Sequence, residues 1–385
     1  MGSGHSHHHA ADTWAAAPAI ERRLWIAVIA WAVLTLAGAI ALWPGGTQRS
    51  EFSADPTVHG RVTATAVGPC TGTEIDDLIL CRTSTVEITS GSARGSTTEL
   101  EQGITASQAR VPQVGDELIL YETISPDGTF YSFADYERSN TMVFLLVIFA
   151  VAVLVLGRWR GLGALAGLAI SVMVLLGFVL PALLDGSNPV LVAIVGASAI
   201  AFASLYLAHG FNSPTNVALL STLAALSITG VLAWIFIEAT TLTGLTDENA
   251  GFLEALGVHI DPRGLLLAGV VLGSLGVLDD VTVTQVSAVG ELRRAKPDST
   301  FTELYRSALV IGRDHVSSTV NTLFLAYAGA ALPLLLLFTT VRQPVGTTAT
   351  SEVVAVEIVR TLVGSIGLLA SVPIATAMAA ALLGR

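Results

Sequence analysis

Eight runs of about 20 apolar residues dominate this chain, and each is long enough for a helix to cross a hydrocarbon core of about 30 Å. They lie near 24–43, 141–157, 162–184, 190–208, 215–238, 264–288, 316–340 and 353–383. Backbone polar groups in lipid must be satisfied within the segment, so runs of this kind fold as helices. The expected fold class is an all-α polytopic membrane protein of about eight transmembrane helices. Composition points the same way, since 13% of the 385 residues are charged against about 25% in soluble domains. The formal charge of −11 is concentrated in residues 51–137 and 238–261. No basic cluster interleaved with aromatics is present, which excludes nucleic acid as a partner.

The first run follows "ERR" and ends in "WPGG" without a small-residue cleavage site. Residues 22–44 therefore read as a signal anchor behind a disordered, His-containing cytoplasmic tail over 1–21. If every run crosses once, Arg22, Arg23, Arg158, Arg160, Arg293, Arg294, Lys296, Arg306, Arg313 and Arg385 fall on one side, and Arg263 and Arg342 on the other with residues 44–140. Cytoplasmic loops carry the excess of Lys and Arg. The expectation is a multi-pass protein of the cell membrane with both termini cytoplasmic and residues 45–139 extracellular.

Residues 45–139 are of a different character. "TVHGRVTATAV", "TVEITS" and "DELILYET" alternate, and "SGSARG" and "SPDG" break them. Such alternation between Gly, Pro and Asp clusters predicts short strands, hence a small extracytoplasmic β-barrel or sandwich inserted after the first helix. Cys70 and Cys81 enclose a short loop in what would be an oxidising compartment, which favours a structural disulfide over a reactive thiol or metal pair. At the amino terminus, His5, His7, His8 and His9 form a tract that could bind a transition metal; it could equally be a disordered arm or, with its Gly-Ser lead, a cloning remnant.

The remaining 140–385 read as a helical membrane domain of seven spans, with an amphipathic interfacial helix near 298–314 opened by Asp298 and Ser299. Its most informative stretch is "GSLGVLDDVTVTQVSAVGEL". A carboxylate at mid-bilayer costs about 2.5–3.5 kcal/mol on insertion scales, so Asp279 and Asp280 need water, a proton or a counter-charge. On a helix Asp280 and Thr284 share a face with Ser287, while Asp279 and Thr282 lie on its flank with Gln285 nearby. The following span opens with a polar stripe of His315, Ser318, Asn321 and Thr322. In the last run Glu357 and Arg360 stand three apart and can neutralise each other, unless Arg360 reaches across to the acids.

The "GSLGVLDDVTVTQVSAVGEL" block, followed by "GRDHVSSTVNTLFLAYAGAALPLLLLF", resembles the YibE/F family of bacterial multi-spanning membrane proteins over residues 22–384. The resemblance implies a multi-span topology and marks the two blocks as family signatures. It carries no catalytic or transport machinery with it.

Three functions follow from the residues. One is a transporter or permease for a solute or ion, with Asp279, Asp280, Thr282, Thr284, Gln285, His315, Ser318, Asn321, Thr322, Glu357 and Arg360 in or beside the path. Another is a non-transporting envelope partner or sensor that binds through the outer β-domain, whether to an envelope protein or as a homo-oligomer. An enzyme is not expected: adjacent aspartates project about 100° apart on a helix, and no zinc-protease, serine-elbow or phosphate-loop motif is present. No cofactor is called for, and the lipid bilayer is the expected medium.

Overall fold

The computed structural model describes residues 18–45, 56–70, 80–103, 111–126, 128–245, 261–340 and 344–384. The histidine tract and most of the acidic stretch at 238–261 lie outside them. The chain divides into two compact units, residues 49–152 and residues 1–48 with 153–385.

The smaller unit is an antiparallel sheet of β1 (Thr57–Pro69), β2 (Leu80–Ile88), β3 (Thr97–Gly103), β4 (Glu117–Ser125) and β5 (Gly128–Tyr136), in the order β3-β2-β1-β4-β5. Strand β1 is long enough to pair with β4 through Thr57–Arg61 and with β2 from Gly60 to Pro69. The edges β3 and β5 approach each other, so the sheet is nearly closed. Period two puts Val58 and Val62 inside with Val86, Ile88, Leu100, Leu118 and Leu120. Between those valines stands Gly60, where any Cβ would collide with Val86. Cys70 and Cys81 are joined by a disulfide with Cα atoms 4.9 Å apart, at the end of the β1–β2 pair where Pro69 faces Leu80.

In the larger unit, α1 is Pro18–Ala41. Helix α2 starts in the smaller unit and covers Ser139–Val174, continued by a π turn at Leu175–Val179 and α3 at Leu180–Leu184. Then come α4 (Pro189–His209), α5 (Ser213–Ala239), α6 (Pro262–Ala295), α7 (Phe301–Ala330), α8 (Leu332–Thr340), α9 (Val345–Thr350) and α10 (Glu352–Leu383). Among the described residues six helical stretches are long and apolar enough to cross a membrane, and α7 with α8 forms a seventh, bent by 64°.

The stretch Ser139–Leu184 has 46 residues and would be about 69 Å long if straight, more than twice the hydrocarbon thickness. It is broken at Arg158, whose φ of 51° and ψ of −128° are not helical. Gly161 is buried against the carbonyl of Val153, which an unbroken helix would hold about 12 Å away. The chain therefore turns sharply between Val153 and Gly161.

The interfacial helix expected near 298–314 is not a separate element. Thr300, rather than Asp298 or Ser299, is the N-cap; with Glu303 it forms a reciprocal capping box, and α7 runs unbroken to Ala330. The break falls at Ala331, next to Pro333, which has no N–H for the carbonyl four residues back.

Helices α5, α6 and α10 pack on one another at the centre; α4 lies on α6, α1 on α4, and α7 against α10 and α6. The central α5 is buried on most of its circumference, from Val217 and Leu219 to Thr222, Ala225 and Thr229. Its contact with α10 is so close that a Cβ at Gly367 would overlap the Thr229 hydroxyl. We expect Gly367→Ala to lower stability by about 1–3 kcal/mol, the usual cost of overpacking. Gly346→Ala, where the added methyl meets open space, should change it little. Thermal unfolding of the two purified variants in detergent checks the difference.

Candidate functional site

Asp279 and Asp280 lie near the middle of α6, and the helix turns them to different surroundings. Asp279 faces α4, where the Ser204 hydroxyl donates to its Oδ2 at 3.3 Å. Its other oxygen, Oδ1, is buried and has no hydrogen-bond partner among the described residues. Ser204 is held from behind, since Gly167 of α2 packs on its Cα and Cβ, and Gly163, one turn earlier, packs on the carbonyl of Leu207. Two glycines four apart let the second limb of α2 approach the α4 backbone closely. Asp280 is exposed, on a face it shares with Gly273, Gly276, Thr284 and Ser287.

The other polar residues of α6 tie helices together. Thr282 is fully buried; it meets Thr222 of α5 at 2.6 Å and donates to the carbonyl of Asp279 at 3.0 Å. Gln285, 2% exposed, donates through Nε2 to the Ala308 carbonyl of α7 and to the Thr376 hydroxyl of α10, each at 2.8 Å. Gly312 leaves room for it, because a Cβ there would press on the Gln285 amide. Thr282 and Gln285 thus join α5, α6, α7 and α10 rather than facing a water-filled path.

The stripe on α7 does not meet the acids. Ser318, Asn321 and Thr322 are exposed, and the Thr322 hydroxyl returns to the Ser318 carbonyl of its own helix. His315 is half-buried, and its carbonyl accepts from Thr319. Arg360 pairs with Glu357 at 3.0 Å on α10, so it does not cross to the aspartates. That pair lies within electrostatic reach of Tyr327, whose hydroxyl stands over Gly273 of α6.

An open cavity of about 770 Å³ lies at the end of the unit where α4 finishes, α5 begins and α6 nears its last turns. Arg160, His209, Ser213, Ser287, Glu291 and Arg294 are among its lining residues, as is Val283. Val283 follows Asp279 by four residues, so the carboxylate lies one turn, about 6 Å along the axis, beyond the cavity wall. At the opposite end Glu352 closes the bundle: its carboxylate accepts from the Thr243 amide and hydroxyl and from the Gly244 amide. This clamp holds the loop after α5 to the start of α10.

Sequence reasoning missed Ser204 as the partner of Asp279. Its only advance trace is the pair Gly163 and Gly167 on the neighbouring run, whose spacing marks a close helix contact without saying what lies beneath it.

A bundle of helices long and apolar enough to cross a membrane, with a carboxylate among them, suggests a polytopic helical membrane protein. A family model for YibE/F-like proteins matches residues 145–385, and the chain belongs to that family. The match runs from within α2 to the end of the chain and leaves out α1 and the sheet, a narrower extent than the resemblance over 22–384. No curated protein and no solved structure matches the chain.

Replacing Gln285 by Leu keeps the volume but removes both donated bonds. Stability should fall by about 1–3 kcal/mol, the usual cost of leaving buried polar groups unpartnered. Denaturant unfolding that places Gln285→Leu at wild-type stability would contradict its role in joining three helices.

Proposed function

We propose that this protein is a transporter or permease in which Asp279, assisted by Asp280, takes up a proton or small cation delivered through the cavity between α4, α5 and α6. The observation that carries the reading is the Asp279 carboxylate itself: among the described residues one oxygen accepts from the Ser204 hydroxyl, and the other is buried without a partner. A carboxylate in that setting is satisfied by a proton or a cation, and burying it without one is costly. The cavity gives water a way to within one turn of it. In this reading Ser204 supplies the second contact, Thr284 and Ser287 continue the polar face from Asp280, and Thr282 and Gln285 position α6. His315, Ser318, Asn321, Thr322, Glu357 and Arg360 stand outside the binding step.

Counting the two limbs of the Ser139–Leu184 stretch separately, and α7 with α8 as one crossing, gives eight spans. With the bias of Lys and Arg, that arrangement keeps both termini and the cavity on the cytoplasmic side and the sheet outside. Reporter fusions test the topology: a periplasmic-type phosphatase should be active after residue 92 and inactive after residue 297, and the reverse would overturn it.

Flux tests the function. Purified protein in proteoliposomes should show cation- or pH-gradient-driven uptake that falls at least about tenfold in Asp279→Asn, the loss expected when an interaction of roughly 1.4 kcal/mol goes. No gradient-driven flux in the wild type, or equal flux in Asp279→Asn, would remove this reading.

A second reading has its own observation in the smaller unit. His59, Arg61, Glu117 and Glu137 line a polar pocket of about 460 Å³, with His59 paired to Glu137 at 3.0 Å and Arg61 to Glu117 at 2.9 Å. An envelope protein or small polar ligand binding there would make the helices an anchor for a sensor. Cross-linking that returns a stoichiometric partner, with Asp279→Asn indistinguishable from wild type in cells, would favour it over transport.

A further inference from the structure

The cavity at the end of α4 has more than an access route in its walls. Its acids are engaged: Glu291 is paired with Arg294 at 2.5 Å, and Glu21 of α1 accepts from the Ser213 hydroxyl at 2.9 Å. Asn212 is engaged too, its Oδ1 accepting from Thr215 and its Nδ2 donating to the carbonyl of His209. What remains open is a set of donors. Arg160, just past the break in α2, lines the cavity with no ion pair or hydrogen bond among the described residues. The His209 ring lies within its electrostatic field and has no hydrogen-bond partner there either. Ser287 of α6, which also lines the cavity, is exposed, and its hydroxyl is unpartnered among the described residues. The volume of about 770 Å³ falls within the range of small-molecule sites.

Guanidinium binds oxyanions through two parallel N–H donors, a geometry that ammonium cannot supply. The His209 imidazole can add a ring N–H donor, and Ser287 an O–H, to those of the guanidinium. We propose that this cavity is a binding site for an oxyanion, a phosphate or carboxylate group held by Arg160 with His209 and Ser287. The group reaches it either on a free cytoplasmic solute or as the headgroup of an anionic lipid, since the two present the same chemistry. Nothing need cross the membrane for the site to fill, so its test stands apart from flux through Asp279.

The experiment uses the full chain in nanodiscs of phosphatidylcholine, with radiolabelled inorganic phosphate as the probe in equilibrium dialysis. A second arm measures by native mass spectrometry whether phosphatidylglycerol is retained over phosphatidylcholine from mixed discs. Saturable phosphate binding that weakens at least about tenfold in Arg160→Gln, and less in Arg160→Lys, supports a free solute. No phosphate binding, but phosphatidylglycerol retention lost in Arg160→Gln, supports the headgroup. Thermal unfolding of each variant confirms that it is folded, and His209→Gln gives a second, independent loss. Absence of both phosphate binding and lipid preference in the folded wild type, or wild-type binding in both Arg160→Gln and His209→Gln, would overturn the proposal.

Discussion

A polar side chain inside an apolar bundle must find its partner on a neighbouring helix, because no water is at hand to provide one. The helical unit is organised around that requirement. Thr222 meets Thr282, Gln285 reaches α7 and α10 together, and Trp31 of α1 donates to Ser198 of α4 at 3.2 Å. Each such bond in a membrane is modest, averaging about 0.6 kcal/mol. Their effect is on register more than on total stability, since a slide or rotation of one helix would leave a donor or acceptor stranded. Among the described residues of this unit, Asp279 Oδ1, Asn216 Nδ2 and Arg360 Nε are buried without a hydrogen-bond partner, and of these only Asp279 is an acid.

Glycine makes these pairings reachable. The hydrogen bonds between helices need short interaxial distances, and the bundle obtains them where a Cβ has been removed. Gly163 and Gly167 bring α2 onto the α4 backbone, Gly312 makes room for the Gln285 amide, and Gly367 admits the Thr229 hydroxyl. The same close packing leaves the second limb of α2 directly behind Ser204. The polar contact at Asp279 is thus supported by three layers, α6, α4 and α2, although among the described residues one hydroxyl bonds to the acid.

The two ends of the bundle are built differently. One is fastened, with Glu352 gathering the amides of Thr243 and Gly244 so that the loop after α5 cannot leave α10 without stranding a carboxylate. The other is open, with a cavity whose wall carries basic groups and whose depth approaches Asp279.

Much of this was legible in the chain before any coordinates. Apolar runs of one length, alternating stretches between turn clusters, and two cysteines around a short loop suffice for the helices, the strands β1, β2 and β4, and the disulfide partners, because each is a local pattern that the backbone must obey. The local Glu357–Arg360 pair follows from helical spacing in the same way. Residues distant in sequence behaved otherwise. That Gln285 and Thr282 face inward while Asp280 faces out, that Ser204 rather than Asn321 or Thr322 answers Asp279, and that Arg160 joins His209 at a cavity depend on how each helix is rotated and which neighbour it meets. Those choices are made by side-chain volumes and glycine gaps summed over whole helix faces, and periodicity along one segment holds no record of them.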